Sequence, residues 1–370
     1  MRIKVCQIIP TLVQGGAEKQ MSLLAAGLNR SKFDSQVVVL THTGPNEEFL
    51  RSEHIPVHIV GKRLKLDPTA YWRLRRTVKQ LKPDIVHTWL FAANCYGRQA
   101  AHSLGVPVII AGERCVDPWK EWWHHALDRH FLKYTDKIVT NTSAIVDFYA
   151  QHGISCDKFH VIPNAAVIPQ VEPISKTEFF NRLRLPPTKY LIGAIGRLWK
   201  QKGYKDLIWA AELVRVALRD VTLVIIGDGP DRELLQTYRD KSGAGDVVRF
   251  AGHRQDAQQL MTAFDLLWNG SLYEGQSNTM LEAMSLGIPV IASNIPGNRD
   301  LVVPDETGCL FDLGDVNTLA RKTCQWLQDS ELRERLGHNA KNRAQSSFSL
   351  AAMIASHEQL YETLLNRPNK

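Results

Sequence analysis

The chain of 370 residues is 44% hydrophobic and 22% charged, which suits a globular protein of two domains, each of roughly 150–200 residues with its own core. Its opening, MRIKVCQIIPTL, runs into a strand pattern without the apolar core of a signal peptide, and no apolar run nears the ~20 residues that cross a bilayer, so a cytoplasmic protein is expected. The formal charge of +7 lies wholly in the first half, where residues 1–165 carry 21 Lys and Arg against 14 Asp and Glu, while residues 166–370 carry 24 of each. The excess is densest from Lys62 to Lys82, where eight basic residues face Asp67 alone. This asymmetry points to an anionic surface or ligand near the first domain, but no nucleic-acid-binding module accompanies it. The six cysteines are scattered, with no C-x-x-C pair and no Cys/His cluster, which argues against a zinc site or a disulfide framework.

Short β-branched strands alternate with helical patterns, the mark of parallel sheets with crossover helices. In the first half the strands are expected at Lys4–Ile9, Gln36–Leu40, Val57–Val60, Asp84–Thr88, Val106–Ile110, Lys137–Thr140 and Phe159–Ile162. Helices are expected at Ala17–Leu28, Ala70–Gln80, Ala92–Leu104, Lys120–Lys133 and Ala144–Ala150. VIPNAAVIPQVEPIS, residues 161–175, has three prolines and no period and reads as a linker. Strands then resume with YLIGAIGRLWKQKG and at Thr222–Ile226, Val247–Phe250, Asp265–Trp268 and Pro289–Ala292. Helices at about Asp315–Leu327, Glu331–Ala344 and Leu350–Leu365 close the chain. The expected fold is α/β, two Rossmann-like domains facing across a cleft, with ligands in strand-to-helix loops at the carboxyl ends of the strands.

Four of those loops carry polar chemistry. Gly15 and Gly16 precede a helix whose N-terminus can meet an anion, although a plain tight turn has the same sequence. In GRLWKQKG, Arg197 and Lys202 stand at a strand end and suit a diphosphate, the alternative being a solvated basic turn. In GDGPDRELL, Asp228 is expected to cap a helix starting at Pro230. SLYEGQSNTMLEAMSLG places Glu274 and Glu282 eight residues apart. On one helix they would be ~12 Å apart along the axis and ~80° around it, whereas glycosidase carboxyls stand about 5–9.5 Å apart. A helix starting near Ser277 or Asn278 instead leaves Glu274 ahead of it and Glu282 inside it, on either side of an N-terminus that suits phosphate. No D-x-D and no metal-spaced cluster occurs, so no metal and no resident cofactor are expected.

The order of these loops, GGAE, GRLWKQKG, GDGPDRELL, F-x-G-H and E-G-x-x-N-x-x-x-E-A-M-x-x-G-x-P-V-I-A, resembles the retaining, nucleotide-sugar-dependent glycosyltransferases of family 4 along nearly the whole chain. The resemblance implies the GT-B fold, with an acceptor domain at 1–165, a donor domain at 166–347 and a C-terminal helix, 348–370, packing back on the first domain. It implies that Arg197, Lys202 and Glu274 are catalytic, the first two holding the donor diphosphate and Glu274 the transferred sugar. Glu282 would bind the ribose, Gly275, Gln276, Ser277 and Asn278 would line the sugar and phosphate, and His253 and Arg254 would lie beside the base. Gly196 and the Gly15–Gly16 pair would approach the donor phosphates. The implied partners are a nucleotide-diphosphate sugar and a glycan or lipid-linked acceptor, in cell-envelope polysaccharide synthesis.

Some positions depart from the family pattern. Gln276 stands where an aromatic or aliphatic residue is usual, and Ala165 replaces the glycine of I-P-N-G. AGERCVDPW has Glu113 and Arg114 where many relatives have a histidine, which leaves Arg114 as a phosphate-binding alternative and His87 as structural or acceptor-side. In DPWKEWWHHALDRHFLKY, Trp119, Trp122 or Trp123, Ala126 and Phe131 form an apolar stripe on a helix with Lys120, Arg129 and Lys133 beside it. That stripe reads either as a helix packed on its own sheet or as an interfacial helix on an anionic membrane. A sugar-nucleotide epimerase and a non-catalytic sugar-nucleotide-binding protein are the competing functions.

Overall fold

The computed structural model describes residues 2–64 and 66–367 as two compact units, one running to Ala165 and resuming at Leu350, the other Ala166–Ser349. The first runs β1 (Ile3–Ile9), α1 (Gly16–Gly27), β2 (Phe33–Val39), α2 (Pro45–Ser52), β3 (Val57–Ile59), α3 (Pro68–Leu81), β4 (Ile85–Trp89), α4 (Leu90–Ser103), β5 (Val108–Glu113), α5 (Trp122–Phe131), β6 (Lys137–Thr140), α6 (Ser143–Ala150) and β7 (Phe159–Val161). The second runs α7 (Lys176–Leu183), β8 (Tyr190–Ile195), α8 (Tyr204–Ala217), β9 (Val221–Ile226), α9 (Arg232–Lys241), β10 (Val248–Gly252), α10 (Ala257–Met261), β11 (Leu266–Asn269), α11 (Asn278–Leu286), β12 (Val290–Ser293), α12 (Pro296–Arg299), β13 (Gly308–Phe311), α13 (Val316–Gln328) and α14 (Ser330–Ser347). α15 (Leu350–Leu365) belongs to the first unit. No described helix is long and apolar enough to cross a membrane.

Both sheets are wholly parallel, ordered β3-β2-β1-β4-β5-β6-β7 and β10-β9-β8-β11-β12-β13. Strand order therefore reverses between β1 and β4 in one unit and between β8 and β11 in the other. In open α/β sheets ligands bind at such a switch point, outside the strands' carboxyl ends. The sequence reading missed α2, whose start is set by Gly44-Pro45 rather than by apolar spacing, and did not count β13 as a strand.

In the first unit α15 covers the sheet together with α1, burying Met353, Leu360, Tyr361 and Leu364. Each such side chain contributes about 1.5–3 kcal/mol through apolar burial. Tyr361 also has a polar role, because its hydroxyl meets His87 Nδ1 at 2.8 Å and Gln7 Nε2 at 3.2 Å. His87 is fully buried in mid-strand, and burial, reinforced by the neighbouring His357 and Arg114, holds it neutral, well below the usual imidazole range. It is a core residue tied to the C-terminal helix.

On the other face α3, α4 and α5 lie side by side. α5 starts at Trp122, because Glu121 caps it in a box with His124. The helix does not present the expected apolar stripe. Its buried side is His124, His125, Asp128 and Phe131, while Trp119, Trp122 and Trp123 are 50%, 79% and 40% exposed. Lys120, expected among the basic flank, is buried, with Nζ 3.0 Å from Asp128, 3.6 Å from Glu113 and 3.6 Å from Asp117. Arg98 of α4 reaches Asp128 at 3.3 Å. Glu113 also accepts from Asn94 at 2.8 Å and from the Tyr149 hydroxyl at 2.9 Å. Three carboxylates thus share two buried cations. Burial is the main cause that pushes Glu113 up to about 7, with Lys120 opposing it and Asp128 and Asp117 adding to it.

Two outcomes follow from this packing. Tyr361→Phe removes one hydroxyl from two buried partners and should cost about 1–3 kcal/mol of unfolding free energy in urea; a loss below about 0.5 kcal/mol would show that the hydroxyl does not hold His87 and Gln7. Glu113 has a folded pKa raised above its unfolded value, so its contribution is complete below the ordinary carboxylate range and is lost as pH rises toward 7 and through it. Wild-type stability should therefore fall from about pH 4.5 to 7 by up to ~1.4 kcal/mol per unit, and Glu113→Gln should flatten that fall. An equal fall in the variant would place the titration elsewhere.

Candidate active site

The second sheet brings three glycine-bearing loops together at its carboxyl edge. β8 ends at Ile195, and the chain continues through Gly196-Arg197 and a single 3-10 turn, Lys200–Lys202, into α8. β11 ends at Asn269 and leads through Glu274 to α11. These are the two loops that flank the switch point, and they pack backbone to backbone. Gly203 has φ +61°, and a Cβ there would stand 2.0 Å from the Gly270 carbonyl oxygen. Leu272 N–H donates to Gln201 O at 2.7 Å, and the Gln201 side-chain amide donates to Tyr273 O at 2.8 Å. The site is thus fixed by main chain before any side chain is considered.

Glu274 is buried in the loop ahead of α11, and Lys202 Nζ donates to its Oε1, while Oε2 is buried with no partner. Two residues 72 apart in sequence are therefore joined at the switch point. Ser277 is the N-cap of α11, its hydroxyl accepting from Met280 N–H at 3.4 Å. This leaves the first turn of α11 facing the loop, with Gly275 and Gln276 buried beside it. Glu282 lies one turn inside α11 and is half-buried. Glu274 and Glu282 therefore do not share a helix: the first precedes α11 and the second lies within it.

Arg197 is exposed, with its guanidinium 4.6 Å from the centre of the Trp199 ring. Lys202 and Arg197 thus differ: one is held by a carboxylate and the other stands in solvent over an indole. His253 is exposed after β10 and lies near Asp228, whose carboxyl is held low mainly by the Gly229 N–H bond and by Arg232. Arg254 is engaged by Asp256 through two bonds of 2.8 Å. Asp228 does not cap the next helix as expected. It accepts from Gly229 N–H at 2.8 Å and from Arg232 at 2.8 Å, and α9 begins at Arg232, because the Gly227–Gly229 turn lies against the backbone of Gly196 and Leu198.

Other supports escaped the sequence reading. A Cβ on Gly297, in α12, would stand 1.7 Å from the Gly275 carbonyl oxygen, so this short helix is the floor under EGQSN. Asn298 beside it donates to Ser293 O at 3.0 Å, and Ser293 donates to Ser271 O at 2.5 Å. Asn269 Nδ2 donates to Ser277 Oγ at 3.2 Å. The P-G-N run after β12 was the available signal. Among the described residues no group of three or more His, Cys, Asp or Glu stands together as a metal site.

In the first unit, Gly15 and Gly16 open α1, and Glu18 folds back so that a Cβ on Gly15 would lie 2.2 Å from its carboxylate. Thr11 Oγ1 donates to Glu18 Oε1 at 3.0 Å, and burial raises this carboxyl despite that bond. The start of α1 thus holds the chain's own carboxylate. Glu113 ends β5 and Arg114 follows it, and their side chains take different partners. Glu113 enters the Lys120 network, and Arg114 donates to Asn164 Oδ1 and lies 5.2 Å over Trp89.

Residues 14–167 match the family model described as Glycosyltransferase Family 4, and residues 175–343 match that described as Glycosyl transferases group 1. Over 98% of this chain and 96% of the relative, the sequence is 26% identical to the UDP-Gal:alpha-D-GlcNAc-diphosphoundecaprenol alpha-1,3-galactosyltransferase of Escherichia coli. It is also 26% identical to the lipopolysaccharide core biosynthesis glycosyltransferase LpsD of Rhizobium meliloti, over 79% of this chain and 78% of that one. The structure of Anabaena HepE in complex with UDP-glucose superposes with a TM-score of 0.85, covering 98% of this chain and 100% of that one at 21% identity. Two parallel Rossmann-like sheets, a basic loop and an E-x7-E loop meeting at one switch point, and two family models that together span most of the sequence lead to one assignment: the chain belongs to the family 4 glycosyltransferases.

Proposed function

We propose that this glycosyltransferase moves a hexose-type sugar, with its configuration retained, from a nucleoside-diphosphate sugar held at the carboxyl edge of the second sheet. The observation that carries this reading is the Lys202–Glu274 pair, with Glu274 Oε2 buried and unpartnered. A buried carboxylate oxygen without a donor costs free energy until one arrives, and sugar hydroxyls are donors. The ammonium beside it is what a departing diphosphate requires.

On this reading the donor exchanges partners within the pair. Its phosphate oxygens take Lys202 and draw in Arg197, while its sugar hydroxyls donate to Glu274 and the start of α11 faces the phosphates. The bond from the anomeric carbon to the phosphate oxygen breaks as the acceptor oxygen bonds to that carbon on the same face. The acceptor proton passes to the leaving phosphate oxygen, and the two cations neutralise the charge that builds there. Glu282 is assigned to the ribose, Gln276 to the sugar pocket and His253 with Arg254 to the base. No metal is assigned a part, since Lys202 and Arg197 supply the positive charge.

The acceptor is assigned to the first unit, as a glycan or lipid-linked sugar in envelope polysaccharide synthesis, a class that the names of the E. coli and R. meliloti relatives support. The protein is placed on the cytoplasmic face of an anionic membrane. Trp119, Trp122 and Trp123 near α5 are exposed, and so are Leu64, Leu66 and Trp72 around α3, 67%, 84% and 63% exposed, in a basic stretch of the same helical layer. Exposed apolar side chains among lysines and arginines suit a lipid interface.

Release of label from a panel of nucleotide sugars, with and without acceptor, tests the reaction. One donor should be turned over, and Lys202→Met or Glu274→Gln should lower kcat by about 10²–10³-fold with the fold retained. A donor turned over equally by both variants would remove these residues from the site. Vesicle flotation tests the membrane assignment. Wild type should float with anionic vesicles at low salt, Trp119→Ser/Trp122→Ser/Trp123→Ser should not, and an unbound wild type would contradict it.

A further inference from the structure

Arg114 is a buried cation for which the described residues of the first unit provide no paired carboxylate. It follows β5 and is 8% exposed. Its Nη2 donates to Asn164 Oδ1 and its plane lies over Trp89, but Nη1 is buried with no hydrogen-bond partner. Asn141, the first residue after β6, donates from Nδ2 to the same Asn164 oxygen at 3.1 Å and leaves its own Oδ1 buried and unpartnered. Thr140 Oγ1, next to it, is likewise buried and unpartnered. Among the described residues no carboxylate pairs with Arg114, and the titratable groups that feel its charge, His87 and His357, are held neutral by burial with Arg114 adding to the effect. Burial lowers Arg114 itself to about 9, so it remains charged at neutral pH.

A buried, uncompensated guanidinium is among the most destabilising groups a fold can carry. Packing does not require it here, since Trp89 is already anchored by its indole N–H on Gln7 Oε1 at 2.8 Å. The chain also turns from β4 into α4 through Leu90 at φ +66°, a costly conformation for leucine that fixes Trp89 at the carboxyl edge. An indole floor, an unpartnered N–H of a buried cation and an unpartnered, buried amide oxygen, both residues bonded to the same Asn164 oxygen, supply one donor and one acceptor beside a shared partner. An anionic oxygen next to a hydroxyl satisfies both.

We infer that Arg114, Asn141 and Trp89 form a second anion site, which binds a phosphate ester of the acceptor while Asn141 Oδ1 accepts from a neighbouring hydroxyl. Phosphate pairs well with a guanidinium, and the plane of Arg114 is already set by Trp89 and Asn164. The inference rests on the transferase reading above and narrows its acceptor to a phosphorylated one. A donor diphosphate offers the same chemistry, and the test separates the two.

Inorganic phosphate is titrated calorimetrically into the full chain, alone and after saturation with UDP, GDP or ADP. Phosphate should still bind the nucleotide-saturated protein. Arg114→Met should weaken that binding about tenfold or more, the size of one lost charge-assisted hydrogen bond, with no fall in Tm. Asn141→Asp, which supplies Arg114 with its own carboxylate, should raise Tm and abolish phosphate binding, and it keeps the test open if Arg114→Met fails to fold. Phosphate binding unchanged in both variants, lost once nucleotide is bound, or matched by acetate at equal concentration would overturn the inference. If no nucleotide binds, the donor reading fails, and the comparison of wild type with Arg114→Met and Asn141→Asp still decides this site.

Discussion

The contact between Lys202 and Glu274 organises the second unit's functional edge. It joins the two loops that leave β8 and β11, the strands between which the sheet order reverses. Around it the main chain is so close that Gly203 and Gly297 have no room for a Cβ. The pair therefore sits in a rigid frame, and its two members have opposite needs once a donor arrives: one needs an anion and the other needs hydroxyls. On the proposed reading a nucleotide sugar offers both in one molecule, and the self-neutralised pair is the resting state of the site.

The first unit manages charge in a different way. Lys120, Arg98, Glu113, Asp117 and Asp128 are all drawn into one buried network, which holds the tryptophan-bearing segment against β5 and leaves the indoles in solvent. One residue later, just past the same strand end, Arg114 has no carboxylate partner among the described residues. The contrast is physical. Glu113 shares two cations with two other carboxylates and has a raised pKa, whereas Arg114 has no carboxylate partner among the described residues, and that contrast motivates the proposed anion site.

Much of this was legible in the sequence. Strand–glycine–helix units gave two parallel α/β halves, because short β-branched runs and glycine turns are local signals. A helix capped at Ser277 or Asn278, with Glu274 ahead of it and Glu282 within it, followed from capping chemistry, and the structure puts the cap at Ser277. What local patterns could not show was partnership at long range. Nothing near Lys202 announces Glu274, and nothing near His87 announces Tyr361 of the last helix. The stripe from Trp119 to Phe131 was misread because helical spacing ranks residues by polarity, while here three carboxylates compensate Lys120 and make a charged side chain the buried one. Asp228 was misassigned as a cap because the helix start is displaced by the packing of Gly227–Gly229 on the neighbouring loop, a tertiary effect.

The most direct measurement of the central claim is a crystal structure of the protein with a bound nucleoside diphosphate sugar. The account predicts the diphosphate on Lys202 and Arg197, the Lys202–Glu274 contact broken, and both Glu274 oxygens accepting from sugar hydroxyls. A nucleotide sugar bound elsewhere, with Lys202 and Glu274 still joined, would contradict it.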